Sequence, residues 1–285
     1  MSPIRPKSGA PKKGPSISGG ILKRQKQPRV PKKNIKQFTK SPMTIEDIMK
    51  VYRIIISTAV HHYSKRKLVK IEESGTVHKK KRPGVPVYVA TAGPGSEKTT
   101  STAPAHLVKK YGQELGSRLY KAYKMLDMCD WSMLVSLEPA RAKLADFHAK
   151  VDWIYCVPNR DFIMTLGCEE DEEEYGTEVA HSVLRIKDAA GHVTISDFTL
   201  EQFGWSSDDF FLPMETFFDR FAESRKWKVT DSKALEGPEN PYERAYVELI
   251  RNLCANVDWD KMEALGEEAR SSLLRRKTVK AIKGH

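Results

Sequence analysis

The segment Gly93-Pro94-Gly95-Ser96-Glu97-Lys98-Thr99 is the short motif in this chain that comes nearest to a phosphate-binding loop. Such a loop needs Gly, four residues, Gly, Lys and then Ser or Thr, because its backbone amides close around phosphate. Here Glu97 stands at the second glycine position. Its carboxylate repels an anionic ligand, and its Cβ obstructs the turn. The segment therefore reads as a flexible polar loop, and no cofactor is expected. The four cysteines, Cys129, Cys156, Cys168 and Cys254, never fall two to four residues apart, and His61-His62 are neighbours. A structural zinc site wants paired ligands at short spacing, so no metal ligand is assigned. Ser, His and Asp are scattered without a nucleophile-elbow pattern. A triad is recognised by geometry and not by order, so the sequence assigns no catalytic residue. Cys156 and Cys168, in or beside predicted strands, read as buried structural thiols. The run Glu169-Glu170-Asp171-Glu172-Glu173-Glu174 lacks the interleaved glycine and polar residues of a calcium loop. It reads as an exposed loop, or as a dock for a basic segment such as this chain's own N-terminal arm.

Charge carries the strongest signal. Twelve of the 48 lysines and arginines, and none of the 37 aspartates and glutamates, lie in residues 1–40. That leaves 36 basic against 37 acidic residues over 41–285, so the formal net charge of +11 is the charge of an arm. A concentrated basic arm binds polyanions by releasing their counterions, with no need of a folded surface. Its candidate contacts to nucleic acid or to an acidic surface are Lys12, Lys13, Lys23, Arg24, Lys26, Arg29, Lys32 and Lys33. Phe38 is the arm's one aromatic residue, so phosphate contact and not base stacking is its expected device. Lys79-Lys80-Lys81-Arg82-Pro83 has the composition of a nuclear import signal, and Lys12-Lys13 with Lys23-Arg24-Gln25-Lys26 that of a bipartite one. No stretch approaches the roughly 18–20 apolar residues of a membrane span. The N-terminus shows no apolar leader core, and widely spaced cysteines suit a reducing compartment.

These groups must be positioned by an α+β body. The arm, 1–40, has too little apolar material to offset its chain entropy and is expected to be disordered. Residues 41–285 are expected to form one globular domain, with an antiparallel sheet of four to five strands flanked by N-terminal and C-terminal helices. Thr44 and Asp47 have the spacing of a capping box, ahead of a helix to about His62. Residues 64–82 read as a basic patch, Val85 to Ala90 as a short strand, and 91–104 as a flexible loop. Pro104 opens a second helix with Leu107, Tyr111, Leu115 and Leu119 inward. Strands follow at Val151–Val157, Phe162–Leu166, Val179–Ile186 and His192–Leu200. The short links Pro158-Asn159-Arg160-Asp161 and Asp188-Ala189-Ala190-Gly191 predict antiparallel hairpins. Phe210-Phe211-Leu212-Pro213 reads as a core-facing turn. Pro213 opens a helix burying Met214, Phe217, Phe218 and Phe221. Pro241 opens another over Tyr242, Ala245, Tyr246, Leu249 and Leu253, and a last helix runs from Asp258 to Leu273. A basic tail, Arg275-Arg276-Lys277 with Lys280 and Lys283, ends the chain.

The arm, the clusters at 79–82 and 275–277, and the overall size resemble the matrix proteins of plant rhabdoviruses that assemble in the nucleus. Asp208-Asp209, Pro213-Met214, Phe217, Phe218 and Phe221 are similar to a stretch in animal rhabdovirus matrix proteins. The chain departs from the family in lacking a Pro-Pro-x-Tyr motif, and Ser101-Thr102-Ala103-Pro104 only approximates the other budding motif. The resemblance implies a non-enzymatic structural protein of virion and host nucleus. It would self-associate as a homo-oligomer, condense ribonucleoprotein and link it to an acidic membrane surface, entering the nucleus on an import receptor. Two other readings stay open: a nucleic-acid-binding protein, either a viral nucleocapsid or a cellular nuclear factor, and an enzyme of phosphate-bearing substrates.

Overall fold

The computed structural model of the protein describes residues 42–63, 66–79, 82–96, 102–167, 180–230, 238 and 240–284. All of these belong to one compact unit. The arm, with its eight candidate contact residues, lies outside the described residues, as do Lys80, Lys81, Lys98, Cys168 and the acidic run.

Helix α1 (Ile45–His62) starts where the capping box places it: the Asp47 amide donates to Thr44 Oγ1 at 3.1 Å, and the Thr44 amide donates to Asp47 Oδ2 at 3.0 Å. Two otherwise orphaned donors are satisfied reciprocally. His61 and His62 occupy its last turn, as expected. Ile48, Met49, Tyr52, Ile55, Ile56 and Val60 bury it among the C-terminal helices, and Tyr52 donates to the Pro139 carbonyl at 2.9 Å.

The basic patch and the loop after it are largely sheet. Strand β1 (Arg66–Lys79) pairs antiparallel with β2 (Arg82–Ser96), in register from Arg66 opposite Ser96 to Lys79 opposite Arg82. The expected loop at 91–104 is therefore strand through Ser96, and Gly93 is a strand glycine. A Cβ there would sit 2.7 Å from Val69 Cγ2, so the glycine serves close packing. Helix α2 (Ala105–Met125) begins after Pro104 as predicted. Leu107 and Leu119 are buried, and Tyr111 and Leu115 pack beside them.

Helix α3 (Cys129–Leu144) has no counterpart in the sequence reading. Trp131, Met133, Val135, Leu137, Ala140 and Leu144 bury most of it, Glu138 and Ala142 stay exposed, and Pro139 lies within it. Buried residues at consecutive positions spread round the helix and leave no single apolar stripe for a 3.6-residue period to reveal. It packs against β3 (Lys150–Pro158) and β5 (His181–Lys187), the middle of a five-stranded antiparallel sheet. That sheet also contains β6 (Val193–Ser196), β7 (Phe211–Pro213) and β8 (Ala222–Val229), in the order β7-β6-β5-β3-β8. The Asp188–Gly191 hairpin is present, its Asp188 amide donating to the His192 carbonyl at 3.0 Å.

The other predicted hairpin is not formed. Strand β4 (Ile163–Leu166) leaves this sheet and pairs parallel with β2, Val87 opposite Ile163. The reason is packing: Phe162 and Met164 close a second core with Leu68, Tyr88, Leu119 and Tyr123. The freed edge of β3 is taken by β8, which follows α4 (Met214–Phe221) without a break and was not anticipated. Phe217, Phe218 and Phe221 are buried as expected, and burying each such ring is worth roughly 2–3 kcal/mol. Phe210 faces inward too.

Helix α5 (Pro241–Ala255) buries Tyr246, Val247, Ile250 and Cys254, and leaves Tyr242 59 % exposed. The inner face is thus rotated by about one residue from the predicted one, because Tyr246 must reach the Ala59 carbonyl (2.8 Å) and stack on Trp131. The last predicted helix is two, α6 (Trp259–Ala264) and α7 (Glu267–Lys283). Arg270 donates to the Met262 and Leu265 carbonyls at 3.1 and 3.2 Å, satisfying the end of α6. The expected basic tail is the second half of α7, anchored by buried Leu274 and Thr278.

Candidate active site

Asp127, in left-handed backbone (φ 59°), turns the chain between α2 and α3. Asp tolerates this conformation better than most residues. The turn makes Cys129 the first residue of a 16-residue helix. His181 opens β5, opposite Cys156 of β3. Asp197 follows β6 directly, and its amide donates to the Phe210 carbonyl at 2.8 Å. Sheet pairing thus brings one end of α3 and the ends of three strands together, although Cys129, His181 and Asp197 are far apart in sequence.

His181 Nε2 lies 2.6 Å from Asp197 Oδ2. The other carboxylate oxygen accepts the Thr199 amide at 2.9 Å. Gln202 Nε2 stands 3.1 Å from His181 Nδ1 and 3.2 Å from Thr199 Oγ1. The Phe203 ring meets the imidazole edge-on, with centroids 4.7 Å apart. His181 and Asp197 are each only 1 % exposed. Burial alone pushes the imidazole pKa down, but the Asp197 charge and hydrogen bond, with a smaller contribution from nearby Cys129, push it up to about 10. Nε2 faces Asp197 and Nδ1 faces Gln202, so both ring nitrogens have a partner. A half-turn of the Gln202 amide lets it accept from an Nδ1–H or donate to a bare Nδ1, so either protonation state is accommodated.

Cys129 is partly exposed, and its thiol lies 3.8 Å from Asp130 Oδ1. Asp130 is held in turn by Ser182 Oγ, which accepts the Trp153 indole N–H at 2.9 Å. The neighbouring thiols are of another kind. Burial, with the nearby charges of Asp197 and Cys129, pushes the Cys156 thiol up to about 12, and burial raises Cys254. Both stay protonated and covered at neutral pH, which bears out the structural reading of Cys156. Among the described residues no group of three or more His, Cys, Asp or Glu is placed to hold a metal. The arrangement is a partly exposed thiol at a helix start, near a buried imidazole held by a carboxylate. The first amides of α3, at Cys129 and Asp130, belong to a helical turn whose N–H groups lack intrahelical acceptors.

The sequence reading found none of this, because it placed no helix at Cys129. The available signal was a cysteine three residues past the end of one helix, with a His and an Asp bracketing one hairpin.

No protein-family model, curated protein or solved structure matches the chain. What it does must therefore be argued from its own residues. Of the import-signal candidates, Lys79 and Arg82 have described backbone and face each other across the β1–β2 hairpin. That hairpin belongs to the three-stranded sheet, apart from the thiol cluster. Among the described residues no helix is long and apolar enough to cross a membrane.

Proposed function

We propose that the folded body is a thiol-dependent acyl-transfer enzyme, a hydrolase or transferase acting on an amide, ester or thioester. The observation carrying this reading is the buried His181–Asp197 pair next to the start of α3, where Ser182, the residue after His181, donates to Asp130, the residue after Cys129. Cys129 Sγ, having released its proton to solvent, attacks the acyl carbon beside the His181 imidazolium that Asp197 keeps charged. The carbonyl oxygen takes the negative charge facing the first amides of α3. The carbon–heteroatom bond then breaks, His181 protonates the departing amine, alcohol or thiol, and Cys129 is left acylated. Water or a second nucleophile, deprotonated by His181, releases the acyl group and restores the thiol. Asp197 holds the ring in place and balances the imidazolium; it does not itself react.

The test is selective alkylation. Iodoacetamide at pH 6 is expected to modify Cys129 in the native protein, with the site read by peptide mass spectrometry. His181→Ala is expected to slow the reaction by about 10²-fold or more, the usual weight of a positioned base. Equal rates in wild type and His181→Ala would falsify the reading.

A second reading rests on a different observation, the segregation of charge into residues 1–40. It supports a polyanion-binding adaptor of the matrix type, condensing ribonucleoprotein and attaching it to membrane, with nuclear entry through the arm or 79–82. The two readings are compatible, since a cationic arm can deliver a catalytic body to a charged polymer or surface. Salt-sensitive binding of RNA or anionic vesicles that disappears on deleting 1–40 supports the adaptor.

A further inference from the structure

Strand β8 ends the five-stranded sheet, and no strand among the described residues pairs with its outer edge. It carries Trp227 and Val229, 38 % and 50 % exposed. Trp227 stands opposite Cys156 of β3, and Val229 opposite Ile154. Nearer the start of β3, Asp152 stands opposite Arg185 and Lys150 opposite Lys187. Residues two apart on a strand share a face, so all of these lie on one side of the sheet. Helix α4 packs Phe217, Phe218 and Phe221 on the middle of that side, over Ile154, Cys156, Val183 and Ile195. Beside it Lys150, Lys187, Trp227 and Val229 stay exposed.

These groups are linked to one another. The Arg185 guanidinium lies 5.1 Å from the centre of the Trp227 ring, and its Nη1 donates to Asp152 Oδ2 at 2.9 Å. Lys150 Nζ lies 3.2 Å from the other Asp152 oxygen, while its side chain stays 74 % exposed. Lys226 and Lys228 flank Trp227 along the strand, both exposed. Arg225 is taken up by Asp219, whose two oxygens accept from its Nη2 at 2.7 and 2.9 Å. That leaves five cations, Lys150, Arg185, Lys187, Lys226 and Lys228, with two carboxylates, Asp152 and Glu223, whereas residues 41–285 as a whole hold one more acidic residue than basic. Lysines on an edge strand commonly guard against strand addition. That device needs no exposed tryptophan, and no cations on β3 and β5. An open sheet face that carries an aromatic ring among excess cations is suited to unpaired bases: the ring stacks on a base, and the cations neutralise phosphates. A duplex hides its base faces within its own stack and offers such a ring nothing to cover.

We propose that this end of the sheet binds single-stranded nucleic acid, with Trp227 stacking on a base and Lys150, Arg185 and Lys187 neutralising the phosphates beside it. The site is independent of the thiol chemistry. It rests on the polyanion-binding reading and extends it from the arm, where phosphate contact alone is expected, to a surface of the body that also senses bases.

The experiment measures fluorescence anisotropy of three dye-labelled ligands of about twelve nucleotides, within the range of single-strand site sizes, on the full-length protein. They are oligothymidylate, an abasic chain with the same phosphates, and a duplex. Wild type is expected to bind oligothymidylate about 5- to 100-fold more tightly than the abasic chain, the usual range for one stacked base. Trp227→Leu keeps an apolar cover on the strand and is expected to erase that preference while leaving the abasic affinity unchanged. Trp227→Phe keeps a smaller ring and is expected to retain part of the preference. Lys150→Gln combined with Lys187→Gln is expected to reduce the slope of log affinity against log salt by about 0.7 per lysine and to leave the base preference in place. Equal wild-type affinity for oligothymidylate and the abasic chain, or a preference that survives Trp227→Leu, overturns the site and leaves binding by the arm standing. An equal effect of Trp227→Leu on the duplex also overturns it. Weaker binding of anionic vesicles by Trp227→Leu, without any base preference in wild type, overturns it in favour of a membrane-contact face. Affinities that ignore salt for all three ligands overturn the arm reading as well.

Discussion

Asp197→Asn separates the proposed base from its counter-charge while keeping the size of the side chain. In the folded protein the His181 pKa is lifted to about 10 from an ordinary 6.5. At 1.36 kcal/mol per pKa unit, that corresponds to roughly 4–5 kcal/mol favouring the folded imidazolium. Breaking a buried charged pair by removing one partner costs about 3–5 kcal/mol in general, so two routes agree. The sign follows from linkage. A pKa raised on folding contributes stability that is fully present below the unfolded pKa, here about 6.5, and lost as pH rises through the folded pKa near 10. In Asp197→Asn the largest raising influence is gone, and burial drives the imidazole pKa down. Urea unfolding of both proteins at pH 6, 8 and 9.5 is therefore expected to give a difference of about 3–5 kcal/mol at pH 6. That difference should shrink by about 1.4 kcal/mol per pH unit above 6.5 and nearly vanish by pH 9.5–10. A whole domain is stable by only about 5–15 kcal/mol, so the pH 6 loss is easily measured. A difference below about 1 kcal/mol at pH 6, or one unchanged between pH 6 and 9.5, would refute an ionic His181–Asp197 pair.

Other perturbations probe the rest of the chain. Among the described cysteines, native protein at pH 8 should yield Cys129 to a thiol reagent while Cys156 and Cys254 react only after unfolding; equal exposure of all three by mass spectrometry contradicts their burial. Gly204→Ala adds a Cβ at φ +86° and 2.6 Å from Phe162 Cε1, so a loss of about 2–3 kcal/mol is expected in urea unfolding. Tyr52→Phe deletes the bond to the Pro139 carbonyl and leaves that oxygen buried, for a loss of about 1–2 kcal/mol by the same method. Deleting residues 1–40 should flatten the salt dependence of RNA binding measured by filter retention; an unchanged slope assigns binding to the body.

Local signals were legible wherever a short stretch carries its own physics. The Thr44–Asp47 box, Pro104 and Pro213 at helix starts, the Asp188–Gly191 turn and the Phe217–Phe221 face were readable because caps, prolines and amphipathic periods act within a few residues. The mixed α+β class followed from the same signals, and the charge of the arm needs nothing but counting. Tertiary structure decided what depends on partners distant in sequence. Helix α3 is invisible to periodicity because its buried residues spread round the helix, and β4 and β8 choose their sheets by packing and not by turn length. The thiol site depends on both kinds of missing information. Cys129 gains its position only once α3 exists, and His181 meets Asp197 only once β5 and β6 pair. Composition records which groups a chain carries, but a proton moves between two of them only when a fold sets them a hydrogen bond apart.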